Sequence, residues 1–302
     1  MKRFICKSLF IIFPTILVVI LVSNKRIISF TSSISFDSKI YELRQRHFDT
    51  LSTIAIGSSM TLNNLNSNEW VSATNDSSFY NISSWGQSIL EDCEIIRAMV
   101  PLYHPSRVVI FSHCIDFYES HVTNLSRIVS YLKYRYSFSE AHFDALSIYS
   151  NTNQLYSSLQ KDSLDYSSLN YDDFGGVPLN IQGTHVDESR WNTMADFIFS
   201  PDNICYSALS EICLYLRERN VSFVLVNTPT RSHYYSDIID DVYKHIHHCD
   251  SIISAQGQFF IDEMDFQAYP DSLFADCSHL NRFGASLLTR SVCNRLNQLT
   301  EN

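Results

Sequence analysis

Three stretches of this 302-residue chain, "LSTIAIG" (51–57), "SRVVIFS" (106–112) and "VSFVLVN" (221–227), are short and nearly continuous apolar runs. A strand with one face in water alternates apolar and polar residues, so a run without that alternation needs cover on both faces. Segments with helical spacing lie between the runs. "SILEDCEIIRAMVPLY" puts Ile89, Ile95, Ile96 and Met99 on one side, and "NICYSALSEICLYLRERN" is amphipathic. "SSFYNI" (77–82) and "QFFID" (258–262) read as two further strands; "SDIIDDVYKHIHH" and the stretch from Asn281 to Leu299 read as helices. Alternating strands and helices predict an α/β domain with a parallel sheet, whose sites form at the carboxyl ends of the strands.

Residues 1–26 are of another kind. Lys2, Arg3 and Lys7 precede "SLFIIFPTILVVILVS", and Lys25 and Arg26 follow it. At about 1.5 Å per residue, Phe4 to Ser23 reaches roughly 30 Å, the thickness of a bilayer core. Pro14 is tolerable in a membrane helix. A cleaved signal peptide is the rival reading, but no clean small-x-small site follows the apolar run. The expectation is an uncleaved anchor with its N-terminus cytoplasmic and the rest of the chain extracytoplasmic. Residues 27–50 read as a polar stalk with some helical character, and residues 51–300 as the domain. Within it, the Ser-, Tyr- and Asn-rich stretch 113–200 reads as an insertion or cap, with a helical piece near 138–150.

The net charge of −10, with no basic stripe beyond the N-terminus, excludes nucleic acid as the main partner. The eight cysteines form no Cys-x-x-Cys, which argues against a zinc ribbon or a thioredoxin motif. Spacing leaves open which of them, if any, pair.

Two short motifs carry chemistry. Gly57-Ser58-Ser59 stands where the first strand ends, so a nucleophile there would be exposed on a tight turn; the plain alternative is a Ser helix cap. Position 61 is Thr, not the Gly of an α/β-hydrolase elbow. "DCSHLNRFGA" holds the only Asp-x-x-His, Asp276 and His279, before the last helix. Either Asp276 or Ser278 caps that helix, or His279 takes a proton from Ser59 while Asp276 fixes its tautomer. His245 and Cys249 share a helix face, compatible with a metal, but a solvated helix end is the stronger expectation. Arg231 and His233 follow the fourth strand and could reach a site there. A thiol enzyme using Cys114 or Cys277 is a weaker alternative.

The joint order of these motifs resembles the SGNH, or GDSL-like, hydrolase family. "GSS" after the first strand, "YNISSWGQS" after the second and "SHLN..GA" near the end resemble its blocks over roughly 51–112 and 202–300. They look like the membrane-anchored branch tied to cell-surface polysaccharides, which includes relatives of alginate acetyltransferases and of the teichoic acid alanylation protein. The resemblance implies a three-layer α/β/α, flavodoxin-like domain. It implies Ser59 as nucleophile, His279 as base, Asp276 as orienting acid, and an oxyanion hole from the amides of Ser59 and Gly86. His113, Arg231, His233 and Asn281 become candidates for substrate contacts. The family's Gly-x-Asn-Asp after the third strand is replaced by "FSHCIDF", where Ser112, His113 or Asp116 stands in place of the Asn. The expected function is a serine esterase or O-acyltransferase on acyl esters of an exported polysaccharide. It needs no metal or organic cofactor, and an acylated glycan, an acyl donor and a membrane acyltransferase are the partners implied. The alternative is an inactive module of the same fold that binds glycan or scaffolds an envelope assembly.

Overall fold

The computed structural model describes residues 12–14, 30–118, 125–133, 168–181, 191, 201–231, 238–265 and 267–301. Most of the expected anchor, the helical piece near 138–150 and His233 lie outside them. Among the described residues no helix is long and apolar enough to cross a membrane.

The elements in chain order are α1 (Ile34–Arg46), β1 (Thr53–Ala55), α2 (Ser59–Asn64), α3 (Ser67–Thr74), β2 (Phe79–Asn81), α4 (Ile89–Tyr103), β3 (Arg107–Ser112), α5 (Leu125–Lys133), α6 (Asn203–Arg217), β4 (Ser222–Asn227), α7 (Ile239–Ser254), β5 (Phe259–Asp262) and α8 (Arg282–Glu301). Short 3-10 turns stand at Cys114–Asp116 and Asp271–Leu273. The five strands are parallel in the order β2-β1-β3-β4-β5. This is the flavodoxin-like order, and its direction reverses between β1 and β3, where such sheets bind ligands.

Successive strand residues feed opposite layers, which is why the runs are apolar throughout. Ile54, Val108, Ile110, Phe223 and Leu225 pack into one core with α1, α4 and α6. Ala55, Val109, Phe111, Val224 and Val226 pack into the other with α8 and Trp70 of α3.

The stretch read as a stalk includes α1, which belongs to the folded body. Its Phe36, Ile40 and Leu43, spaced one and two turns apart, are buried in the first core. The described part of the expected insertion, 168–181, is also integral. Asn81 N donates to Phe174 O at 2.8 Å, which covers the edge of β2. Lys39 of α1, fully buried, donates to Gly175 O and lies 3.9 Å from the Tyr171 ring centroid. All seven described cysteines are buried thiols outside any disulfide.

Candidate active site

Gly57 turns the chain from β1 into α2 at φ +148, and a Cβ there would stand 2.1 Å from Thr61 Oγ1. Only glycine fits this turn. Thr61 in turn ties the first turn of α2 to β3: its Oγ1 lies 2.8 Å from Phe111 O, 3.1 Å from Ile56 O, and accepts from Phe111 N at 2.9 Å. Ser58 caps the helix by accepting from Met60 N at 3.1 Å. Ser59 is therefore the first residue of α2, half-buried at the carboxyl end of β1.

The acid and the imidazole come from the turn before α8. Asp276 Oδ1 accepts from the amides of Ser278 at 2.8 Å and His279 at 2.6 Å, which fixes the carboxylate within its own turn. Oδ2 lies 2.8 Å from His279 Nδ1, and His279 Nε2 lies 2.8 Å from Ser59 Oγ. Asp276 is buried, while the imidazole and the hydroxyl reach the surface. With Nδ1 protonated toward Asp276, Nε2 is the free base facing the hydroxyl.

Asn64, one turn beyond Ser59, joins the two halves. Its Oδ1 accepts from Leu280 N at 2.8 Å, and its Nδ2 lies 3.5 Å from Ser278 O. Nothing in the motif pattern marks this residue; a buried Asn at the end of a six-residue helix is the only signal it leaves.

After β3, Asp116 Oδ2 accepts from His113 N at 2.9 Å and from Ser112 Oγ at 3.2 Å. Burial lifts Asp116 to about 6, against the pull of those donors and of His279. His113 beside it is held down to about 3, first by burial and then by the charges of His279 and His245. It stands as a neutral imidazole.

No protein-family model matches the chain, and no curated protein does. Solved structures do. A GDSL-like lipase from Bacteroides thetaiotaomicron matches 88% of this chain and 98% of its own at 8% identity, with a TM-score of 0.45. A catalytic mutant of an acetylxylan esterase from Geobacillus stearothermophilus matches 83% of this chain and 95% of its own at 11% identity, with a TM-score of 0.43. The fold itself is read from the strand order, and the site from its distances.

Gly86 stands past the carboxyl end of β2 at φ +66, exposed, with Tyr118 Oη donating to its carbonyl at 2.6 Å. Several other expectations need correction. Asn281 is not a substrate contact: it is buried and caps α8, accepting from Phe283 N at 3.0 Å and Gly284 N at 3.1 Å and donating to Ser272 O at 2.8 Å. The plain alternative, a cap from Asp276 or Ser278, is not the one found: the Asp276 carboxylate is directed to His279 and the amides of its own turn. Arg231 is buried and committed as well: it pairs with Asp271 at 2.7 Å, donates to Trp191 O and stacks on the Trp191 ring at 3.6 Å. It braces the segment leading to Asp276 rather than presenting its guanidinium. His113 is 2% exposed, and its ring accepts from Ile115 N instead of facing solvent.

Of the end of α7 expected to be solvated, His247 and His248 are exposed, but His245 and Cys249 are buried. His245 Nδ1 lies 2.6 Å from Tyr206 Oη, and Cys249 Sγ lies 3.7 Å from His245 Nε2. Among the described residues no three His, Cys, Asp or Glu side chains converge as a metal set. The two nitrogens of His279, the base nearest Cys277 in sequence, face Asp276 and Ser59. Cys114 Sγ lies 3.8 Å from Nδ1 of the neutral His113 and packs with Val242 and Ile246.

Proposed function

We propose that this chain is an SGNH-like serine esterase or O-acyltransferase that works through Ser59, His279 and Asp276. The observation that carries the reading is the unbroken row of two 2.8 Å contacts from Asp276 through His279 to Ser59. Such a row is the arrangement by which a neutral hydroxyl becomes a nucleophile.

In this reading Ser59 Oγ attacks the carbonyl carbon of an acyl ester and His279 Nε2 takes its proton. Asp276 holds the tautomer and opposes the charge of the imidazolium. Negative charge on the tetrahedral oxygen is received by the amides of Ser59 and Gly86. Collapse breaks the bond to the leaving oxygen, which receives the proton from His279, and leaves an acyl-serine. Water or a sugar hydroxyl, deprotonated by His279, then attacks the acyl carbon and frees Ser59. Water completes hydrolysis; a sugar hydroxyl completes transfer.

The motif order and the apolar, positively flanked segment 4–23 support placing this chemistry on acylated, exported or cell-surface polysaccharide. The domain would be held outside the membrane by that anchor, with a membrane acyltransferase as acyl donor. The test is release or transfer of acetyl from acetylated oligosaccharides by the full chain in detergent. Wild type turns over and Ser59→Ala loses on the order of 10⁴-fold or more. Turnover that survives Ser59→Ala removes the assignment.

A second reading, a non-catalytic glycan-binding module, is favoured by one observation: no Asn follows β3 to donate to the oxyanion. Oligosaccharide binding without acyl release or acyl-serine formation would select it.

A further inference from the structure

One segment outside the triad touches both of its halves. Residues 168–181 run from α1, past the end of α2, to the start of α8. Two cations hold this strap to α1: Lys39 donates to Gly175 O and lies over the Tyr171 ring, while Arg46 donates to Asp173 O and, at 3.3 Å, to Asp172 O. Gly175 permits the close approach there, since a Cβ would come 2.6 Å from Asn81 O at the edge of β2. Further on, Val177 N donates to Leu62 O at 3.0 Å, and Val177 O accepts from Asn63 Nδ2 at 2.7 Å. Leu179 O then accepts from Arg282 N at 2.7 Å, and Leu179 pairs with Asn281 in a parallel bridge. Leu179 and Ile181 pack with Ala275, the residue before Asp276.

We propose that the strap 168–181 is a positioning element of this site and that Asn63 is its grip on the nucleophile helix: Val177 and Leu179 tether α2 to the start of α8 and so hold Ser59 opposite His279. The proposal rests on the reading of Ser59 as nucleophile and deepens it.

Two residues of chain span at most about 7 Å, so bonds made at Val177 and at Leu179 leave α2 and the start of α8 little room to part. Asn63 follows Ser59 by four residues, which puts it on the same face of α2 as the nucleophile. Asn63 and Val177 are both buried, so their bond is not readily exchanged for one to water. Asn64 makes the direct link to Leu280, and the strap closes a second link by another route. The cations on α1 matter because they fix the strap upstream of both contacts. Lys39 is fully buried, so displacement of α2 or of the His279 turn is resisted by the body of the domain and not by a free loop.

A fluorophosphonate reads the alignment without the natural substrate. Ser59 Oγ bonds to phosphorus, the P–F bond breaks, fluoride leaves, and the Ser59 proton passes to His279. Saturation of the labelling rate separates reagent binding, KI, from the bond-making step, kinact. Both are measured on the full chain for wild type, Asn63→Ala, Lys39→Met and the double variant, with Ser59→Ala as background and urea unfolding of each. Lys39→Met removes the charge that holds Gly175 O and keeps the bulk of the side chain. Asn63→Ala should lower kinact about tenfold and Lys39→Met about threefold, with KI unchanged in both. Because both act through one strap, the double variant should lose clearly less than the product of the two, whereas independent lesions would multiply. Those results support the proposal. Wild-type kinact in a folded Asn63→Ala overturns it, as does a double variant that shows the full product or a change confined to KI. If Asn63→Ala does not fold, Lys39→Met decides: lowered kinact at unchanged KI supports the proposal, and wild-type kinact overturns it. Labelling absent from wild type instead removes Ser59 as nucleophile, and the proposal with it.

Discussion

Asn64 Oδ1 accepts the backbone amide of Leu280 at 2.8 Å across a separation of 216 residues. One side chain thus sets the distance between the helix that begins at Ser59 and the turn that carries His279. Asn64→Ala leaves the Leu280 amide buried without this acceptor, at a cost of about 1–3 kcal/mol. Displacement of His279 should cost a further loss in kcat of roughly 10²-fold, with KM little changed. Urea unfolding and steady-state ester hydrolysis check the two parts separately. A stable variant with wild-type kcat would show that Asn64 does not align the pair.

Gly57→Ala forces a Cβ to within 2.1 Å of Thr61 Oγ1, at a φ of +148 that L residues rarely adopt. Strain and the broken Thr61 contacts to Phe111 and Ile56 should lower stability by on the order of 2–4 kcal/mol. The denaturation midpoint reads this directly. A loss below about 1 kcal/mol would mean the turn relaxes more freely than its packing implies.

These two residues show where sequence reading reached and where it stopped. The runs that became β1, β3 and β4 were legible because burial on both faces leaves no polar residue in alternate positions. The order of Gly-x-Ser and Asp-x-x-His pointed at Ser59, Asp276 and His279 because each motif is local. Asn64 and Thr61 were not legible as supports, since their partners Leu280 and Phe111 lie across the fold and no spacing encodes them. Asn281 misled for a related reason. It sits two residues from His279, but its side chain turns back to cap α8. In the same way α1 looked like a stalk, because its polar residues outnumber the Phe36, Ile40 and Leu43 that dock it.

His113 should make the fold acid-sensitive. Burial keeps it neutral down to about pH 3, whereas its ordinary value is 6.5. Between those values the unfolded chain binds one more proton. The contribution is therefore complete above pH 6.5 and is lost as pH falls, at about 1.4 kcal/mol per unit. Asp116, raised from 3.8 to about 6, has the opposite sign over its own window, so the test compares slopes rather than totals. His113→Gln should lower the slope of stability against pH, relative to wild type, by close to one proton between about pH 6.5 and 4. Parallel profiles for the two proteins would place a protonated His113 in the native state.

The most direct measurement is the position of a phosphonyl adduct. Wild-type protein treated with a fluorophosphonate is digested and its peptides sequenced by mass spectrometry, alongside His279→Ala. The adduct is expected on Ser59 and should be lost or strongly slowed in His279→Ala. An adduct on any other serine, or equal labelling of Ser59 without the imidazole, would contradict the account.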